Sequence, residues 1–171
     1  NKGEVISIYR KLHLFNLLDI NEKPLYCESN IFLQGDRPET YEFKIGHEQW
    51  KSANIICYDI RFPEIIRTLK KAPDIIFVPA AFTWQTGKAH WEILLRARAI
   101  ENQCFIVACN QTGAFFNNQK RNYGHSMIIS PWGEILAQME EEVGCLNFEI
   151  NKQILNESRL KLPALKDRKI L

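Results

Sequence analysis

Hydrophobic positions fall in short blocks separated by Asn, Asp, Gly and Pro, and the blocks change period along the chain. Residues 4–11 (EVISIYRK) are rich in β-branched side chains and predict a strand. Residues 16–40 scatter Asn, Asp, Pro and Gly among the apolar positions and predict a long irregular loop. A loop of that length inside one domain usually serves function. Residues 41–45 and 54–59 (NIICYD) predict two strands with a turn signal at Gly46 between them. Pro63 stands at a first helical position and is followed by apolar residues 65, 66 and 69, so a helix starts there. Pro73-Asp74 ends it, and Ile75-Ile76-Phe77-Val78 predicts a short strand buried on both faces.

Thr86-Gly87 opens the longest helical pattern, 88–103, which contains neither Gly nor Pro. Ile93, Ala97 and Ile100 share a face, and Glu92 and Arg96 stand four apart as a surface pair. Phe105-Ile106-Val107-Ala108 predicts another buried strand, and 110–122 a mostly polar loop. Ser126-Met127-Ile128-Ile129 predicts a strand that ends in the turn Pro131-Trp132-Gly133-Glu134. Residues 134–138 and 146–150 complete the strands, 151–159 form a last helix, and a basic tail with Lys166-Asp167-Arg168-Lys169 follows. Strands alternating with helices in the middle of the chain predict an α/β fold, and the later hairpin-like strands a mixed sheet. Without internal repeats or a dividing linker, 1–171 reads as one domain.

Composition narrows the function classes. The chain has 171 residues, 46% hydrophobic and 25% charged, with a formal net charge of +2. That balance argues against a basic nucleic-acid binder and against an acidic disordered chain. No apolar run approaches the ~20 residues of a membrane span. The opening Asn1-Lys2-Gly3-Glu4 shows no apolar leader. Five Cys (27, 57, 104, 109 and 145) with no CxxC argue against a disulfide framework or a zinc knuckle and for a reducing, cytoplasmic setting.

The chemistry narrows further. Dinucleotide and P-loop glycine motifs, HExxH and GxSxG are all absent, and His13, His47, His90 and His125 lack metal-site spacing. Cys57 remains. It follows a buried-type strand and precedes the segment that opens a helix, where the partial positive charge of a helix N-terminus favours a thiolate and backbone N–H groups bind an oxyanion. A core cysteine at a strand end is the plain alternative. For Cys104, Cys109 and Cys145, burial as a small hydrophobe is the expectation.

Four motifs occur in order: YRKLHLF at 9–15, CYDIRFPE at 57–64, AAFTWQTGKAHWEILLRARAIENQ at 80–103 and YGHSMIISPWGE at 123–134. Together they resemble the nitrilase, or carbon–nitrogen hydrolase, superfamily. The TGKAHWE stretch, with Gln111-Thr112-Gly113 ahead of Tyr123-Gly124-His125-Ser126, is most similar to its amidase branch of deaminated-glutathione amidases and omega-amidases. The resemblance implies an αββα sandwich. It also implies hydrolysis of a small carboxylic-acid amide through a Cys thioester, with release of ammonia and no cofactor.

By motif, the resemblance places the nucleophile at Cys57, the Lys at Lys11 and a further Glu at Glu28. The thiolate attacks the amide carbonyl, and Lys11 steadies the oxyanion beside the Tyr58 N–H. Glu28 holds Lys11 and relays a proton. Phe82, Thr83 and Trp84, just after a strand, are candidates to shape the substrate pocket or, equally, to pack at its rim. His90, Trp91 and Glu92 read as helix packing and pairing, and His125 as a buried, hydrogen-bonded His. The family's general-base Glu precedes the Lys motif, and no such segment stands ahead of Lys11 here. The expectation is therefore a C-terminal portion of the fold, or one completed by a companion segment, and inactive alone. The expected partners are the amide substrate and further copies of the chain in a homodimer or larger homo-oligomer, with 57–69 as a candidate interface; no nucleic acid and no membrane are expected. A non-catalytic oligomerisation or regulatory fragment of the same fold is the second reading. A thiol redox protein built on Cys57 is the third, weakened by the lack of a neighbouring Cys.

Overall fold

The computed structural model describes residues 3–115 and 117–170. Strands β1 (Asn16–Leu18) and β2 (Pro24–Cys27) form a small antiparallel hairpin. β3 (Thr40–Ile45) and β4 (Glu48–Asn54) form a second one, in which Gly46 supplies the positive φ of +59° that the tight turn needs. A 3-10 turn (Cys57–Arg61), helix α1 (Glu64–Arg67), β5 (Ile75–Ala80), α2 (Trp84–Asn102) and β6 (Phe105–Asn110) follow. β7 (Thr112–Phe115) pairs with β8 (Lys120–Tyr123). Then come β9 (Met127–Ile129), β10 (Ile135–Gln138), α3 (Lys152–Lys161) and α4 (Ala164–Asp167).

Among the described residues, six strands form the main sheet in the order β10-β9-β6-β5-β4-β3. β4, β5 and β6 run parallel because helices carry the chain back across one face, and the outer strands pair antiparallel. Successive residues of β5 feed opposite cores. Ile76 and Val78 pack with Ile65 and Ile66 of α1 and Trp91, Leu95 and Ala99 of α2. Ile75 joins Trp50, Phe105 and Leu155 of α3 on the other face. Burial on both faces explains the wholly apolar runs at 75–78 and 105–108.

The structure departs from the sequence reading in definite places. Residues 3–15 carry neither strand nor helix, and Val5, Ile6 and Ile8 are 77%, 63% and 66% exposed. β propensity alone makes no strand where no neighbouring ladder is offered. The strand expected at 54–59 lies at Glu48–Asn54, where register with β3 holds it, and the chain leaves the sheet before Cys57. Residues 16–40 contain a hairpin and the turn Glu28–Asn30 rather than loop alone. The polar stretch 110–122 is largely the β7–β8 hairpin, and 146–150 forms no strand.

Helix α2 starts at Trp84, and its buried face is not Ile93, Ala97 and Ile100. Ile93 and Ile100 are 69% and 49% exposed, while Trp91, Leu95, Arg98 and Ala99 point inward. A buried cation sits on the inner stripe because its charge is answered there. Arg98 Nε donates to the Ile60 carbonyl at 2.9 Å, and Nη1 to Glu101 at 2.9 Å. The Glu92–Arg96 pair forms as expected, at 3.0 Å.

Candidate active site

Cys57 stands where β4 has ended and the 3-10 turn begins. Its backbone lies in the left-handed region at φ +50°. For a side chain with a Cβ this costs about 1–2 kcal/mol, so the surroundings must hold it there. Asp59, two residues on, is fully buried and reaches back to the Ile56 N–H at 3.0 Å, closing the turn over the cysteine.

The wall opposite is the irregular segment around Lys11. The Lys11 ammonium pairs with Glu28 Oε2, both side chains being largely buried. The same carboxylate oxygen accepts the Phe15 N–H at 2.7 Å, and the Glu28 N–H donates to the Phe15 carbonyl at 3.1 Å. Gly35 closes the other side. Its N–H donates to the Lys11 carbonyl at 2.8 Å, and a Cβ on Gly35 would lie 2.3 Å from the Arg10 carbonyl oxygen. Asp59 also takes the Tyr9 hydroxyl at 2.7 Å, the His13 N–H at 2.8 Å and His13 Nδ1 at 2.9 Å.

Lys11, Glu28, Cys57, Tyr58 and Thr83 all line one wide cleft of about 1820 Å³. Phe82 does not line it. That ring is 4% exposed and packs on Trp91 at 4.8 Å, so its place is the core. Trp84, at the start of α2, takes the position on the rim, with the Arg121 guanidinium 4.6 Å over its ring and paired to Glu141. Arg61 and His90 also line the cleft and meet each other at 3.3 Å. Trp91 and His125 are structural, as expected. The Trp91 indole N–H donates to the His125 carbonyl, and His125 Nδ1 sits 2.7 Å from the Tyr123 carbonyl.

Electrostatics at Cys57 run against the sequence expectation. Burial pushes the thiol above its ordinary range, and Glu28 adds to the rise. The Ala81 N–H, Lys11 and the Tyr58 N–H pull the other way without cancelling it. The turn that follows Cys57 is too short to act as a helix terminus strong enough to win over desolvation. Burial thus opposes the N–H donors and the ammonium that favour the charged form of Cys57. Sequence reasoning passed over Ala81 and Asp59. Ala81 contributes a backbone N–H, which leaves no mark in a sequence, whereas Asp59 stood in plain view within CYDIRFPE.

All five cysteines are unpaired, and of the three expected to be buried only Cys104 is, Cys109 and Cys145 being exposed. Among the described residues, no group of His, Cys, Asp and Glu is arranged to hold a metal ion, and no helix is long and apolar enough to cross a membrane.

A sequence profile described as carbon-nitrogen hydrolase matches residues 1–157. The deaminated glutathione amidase of Synechocystis sp. is 42% identical over 168 residues, which are 97% of this chain and 60% of that protein. The crystal structure of the Caenorhabditis elegans NitFhit protein superposes with a TM-score of 0.86 at 41% identity, covering 98% of this chain and 40% of that one. A mutant of an amidase from Nesterenkonia sp., solved with the acetamide moiety of fluoroacetamide added covalently at its active-site cysteine, matches 83% of this chain and 49% of its own at 26% identity, with a TM-score of 0.63. The mixed sheet with its flanking helices is therefore a nitrilase-type α/β fold, and the chain spans 60% or less of each of these relatives. With a family profile covering most of its residues, this chain belongs to the carbon-nitrogen hydrolase family.

Proposed function

We propose that the protein to which these residues belong hydrolyses the amide bond of a small carboxylic-acid amide through a thioester on Cys57. A deaminated-glutathione-like amide is the first substrate class and an ω-amide of a dicarboxylate the second. The observation that carries the reading is the meeting of the Cys57 turn and the Lys11–Glu28 pair in one cleft.

A carboxylate takes the thiol proton as Sγ attacks the carbonyl carbon, and the C=O electron pair moves onto oxygen. Lys11 and the Tyr58 N–H stabilise that oxyanion. The C–N bond then breaks, the nitrogen takes the proton and ammonia leaves. Water attacks the thioester, the acid departs and the thiol is restored. Attack by a thiol requires such a base. Within this chain Glu28 is the carboxylate beside Lys11; the family resemblance assigns the base itself to a further Glu. An acid amide suits a cleft whose lining includes Arg10 and Arg61, while Glu28 is already paired.

Self-association is part of the same reading. Ile65, Ile66 and Leu69 of the segment first considered for an interface lie in the core. Ile93 and Ile100 of α2 are among the apolar side chains left outward, and light scattering of Ile100→Asp against the parent reads their role. A cytoplasmic setting fits five unpaired cysteines.

The test is ammonia release from an acid amide by the full-length protein. Cys57→Ala should abolish it, and unchanged turnover would remove the mechanism.

A further inference from the structure

Residues 3–15 carry no strand or helix, yet they deliver Lys11 to the cleft. Something other than a backbone ladder must fix that ammonium relative to the sulfur. Resting on the Cys57–Lys11 reading above, we propose that Asp59 is a positioning residue that locks the Lys11 segment to the Cys57 turn and so sets the charge acting on the thiol.

The geometry is that of a hub. Oδ2 accepts the Tyr9 hydroxyl at 2.7 Å and the Ile56 N–H at 3.0 Å. Oδ1 accepts the His13 N–H at 2.8 Å and faces His13 Nδ1 at 2.9 Å. An ionised carboxylate only accepts, so His13 presents Nδ1–H to it. Tyr9 and His13 stand two residues either side of Lys11, so the segment is bolted down at both flanks. Ile56 immediately precedes Cys57, so the same carboxylate also holds the turn. The His13 ring lies flat on Phe62 at 3.7 Å, adding a contact on the far side of the turn. Asp59 is completely buried, and hydrogen bonds to a buried charge are the strong kind. Glu28 holds the Lys11 head group, Gly35 its carbonyl, and Asp59 the residues two positions either side of it. Lys11 is among the groups that favour the Cys57 thiolate, which makes thiol ionisation a direct readout of where the ammonium sits.

The test is the pH profile of Cys57 alkylation by iodoacetamide in the full-length protein, read by peptide mapping, in a double-mutant cycle of Asp59→Asn and Lys11→Met. Lys11→Met should move the profile to higher pH and slow alkylation at neutral pH by about 3-fold or more. Asp59→Asn should move it the same way, and the double variant should go no further than Lys11→Met alone. Tyr9→Phe removes a single bond from the hub and keeps the test open if Asp59→Asn does not fold. Its smaller shift should vanish in the Lys11→Met background. A profile unmoved by Lys11→Met overturns the Cys57–Lys11 reading and this inference with it. A profile moved by Lys11→Met but not by Asp59→Asn or Tyr9→Phe, or effects that simply add, overturns the role of Asp59 alone.

Discussion

The Lys11 ammonium and the Glu28 carboxylate form a largely buried ion pair beside Cys57. The two members act on the thiol in opposite senses, Lys11 favouring its ionised form and Glu28 opposing it.

Glu28→Gln should therefore separate ionisation from turnover. With the negative charge gone, Cys57 alkylation at neutral pH should become faster. Amide hydrolysis should nonetheless fall by about 10²-fold or more if Glu28 steers the proton. Both rates can be taken on one preparation. Turnover that rises with alkylation would reduce Glu28 to a simple brake on the thiol.

The last helix is held by charge as well as by Leu155. Asp74 is 1% exposed and takes Arg159 Nη1 at 2.9 Å, Lys152 Nζ at 2.6 Å and the Lys51 N–H at 3.0 Å. Burial alone would raise its carboxyl, but Lys152, the Lys51 N–H and Arg159 more than offset that, and it ionises below the usual range. A depressed folded-state value contributes stability above the unfolded carboxyl's value, and that stability is lost as pH falls through the folded one. Asp74→Asn should cost about 3 kcal/mol in denaturant melts at neutral pH, because it leaves two cations without their partner. The gap between variant and parent should close as the solution is acidified. A pH-independent gap would mean that Asp74 acts through shape alone.

Gly87 lies in the first turn of α2 directly under Tyr123. A Cβ there would come within 2.3 Å of the Tyr123 Cβ. Ala is the better helix former, yet Gly87→Ala should destabilise by about 1–3 kcal/mol through overpacking. It should also push the β7–β8 hairpin off Trp84 and change tryptophan fluorescence. A stabilised variant would show that the contact yields easily.

Much of this was visible in the chain. The runs at 75–78 and 105–108 are wholly apolar because each strand is covered on both faces, and that pattern needs no knowledge of its neighbours. The inner face of α2 was harder to see, since Arg98 is buried against a carbonyl and Glu101 while Ile93 and Ile100 stay outside. The segment at 4–11 has strand propensity but no ladder, and pairing is a property of two segments rather than one. For the site, the motifs pointed to Cys57, Lys11 and Glu28, but of Phe82, Thr83 and Trp84 only the last two line the cleft, because standing just after a strand cannot say which side chain turns into the core. The direction of the Cys57 shift was invisible. It depends on how much protein covers the sulfur, which a local reading of helix signals omits.

The central claim is that Cys57 is the nucleophile of this cleft, and fluoroacetamide trapping tests it most directly, because Sγ displaces fluoride from the CH2 carbon and keeps the acetamide as a thioether. The carbon–fluorine bond resists ordinary thiols, so the exposed Cys145, outside the cleft, is a built-in control, while Cys109 lines the same cleft as Cys57. After incubation of the full-length protein, peptide mapping should find a single acetamide adduct on the peptide that carries Cys57, and none after Lys11→Met within the same time. An adduct on Cys109 or Cys145 with Cys57 untouched would contradict the account.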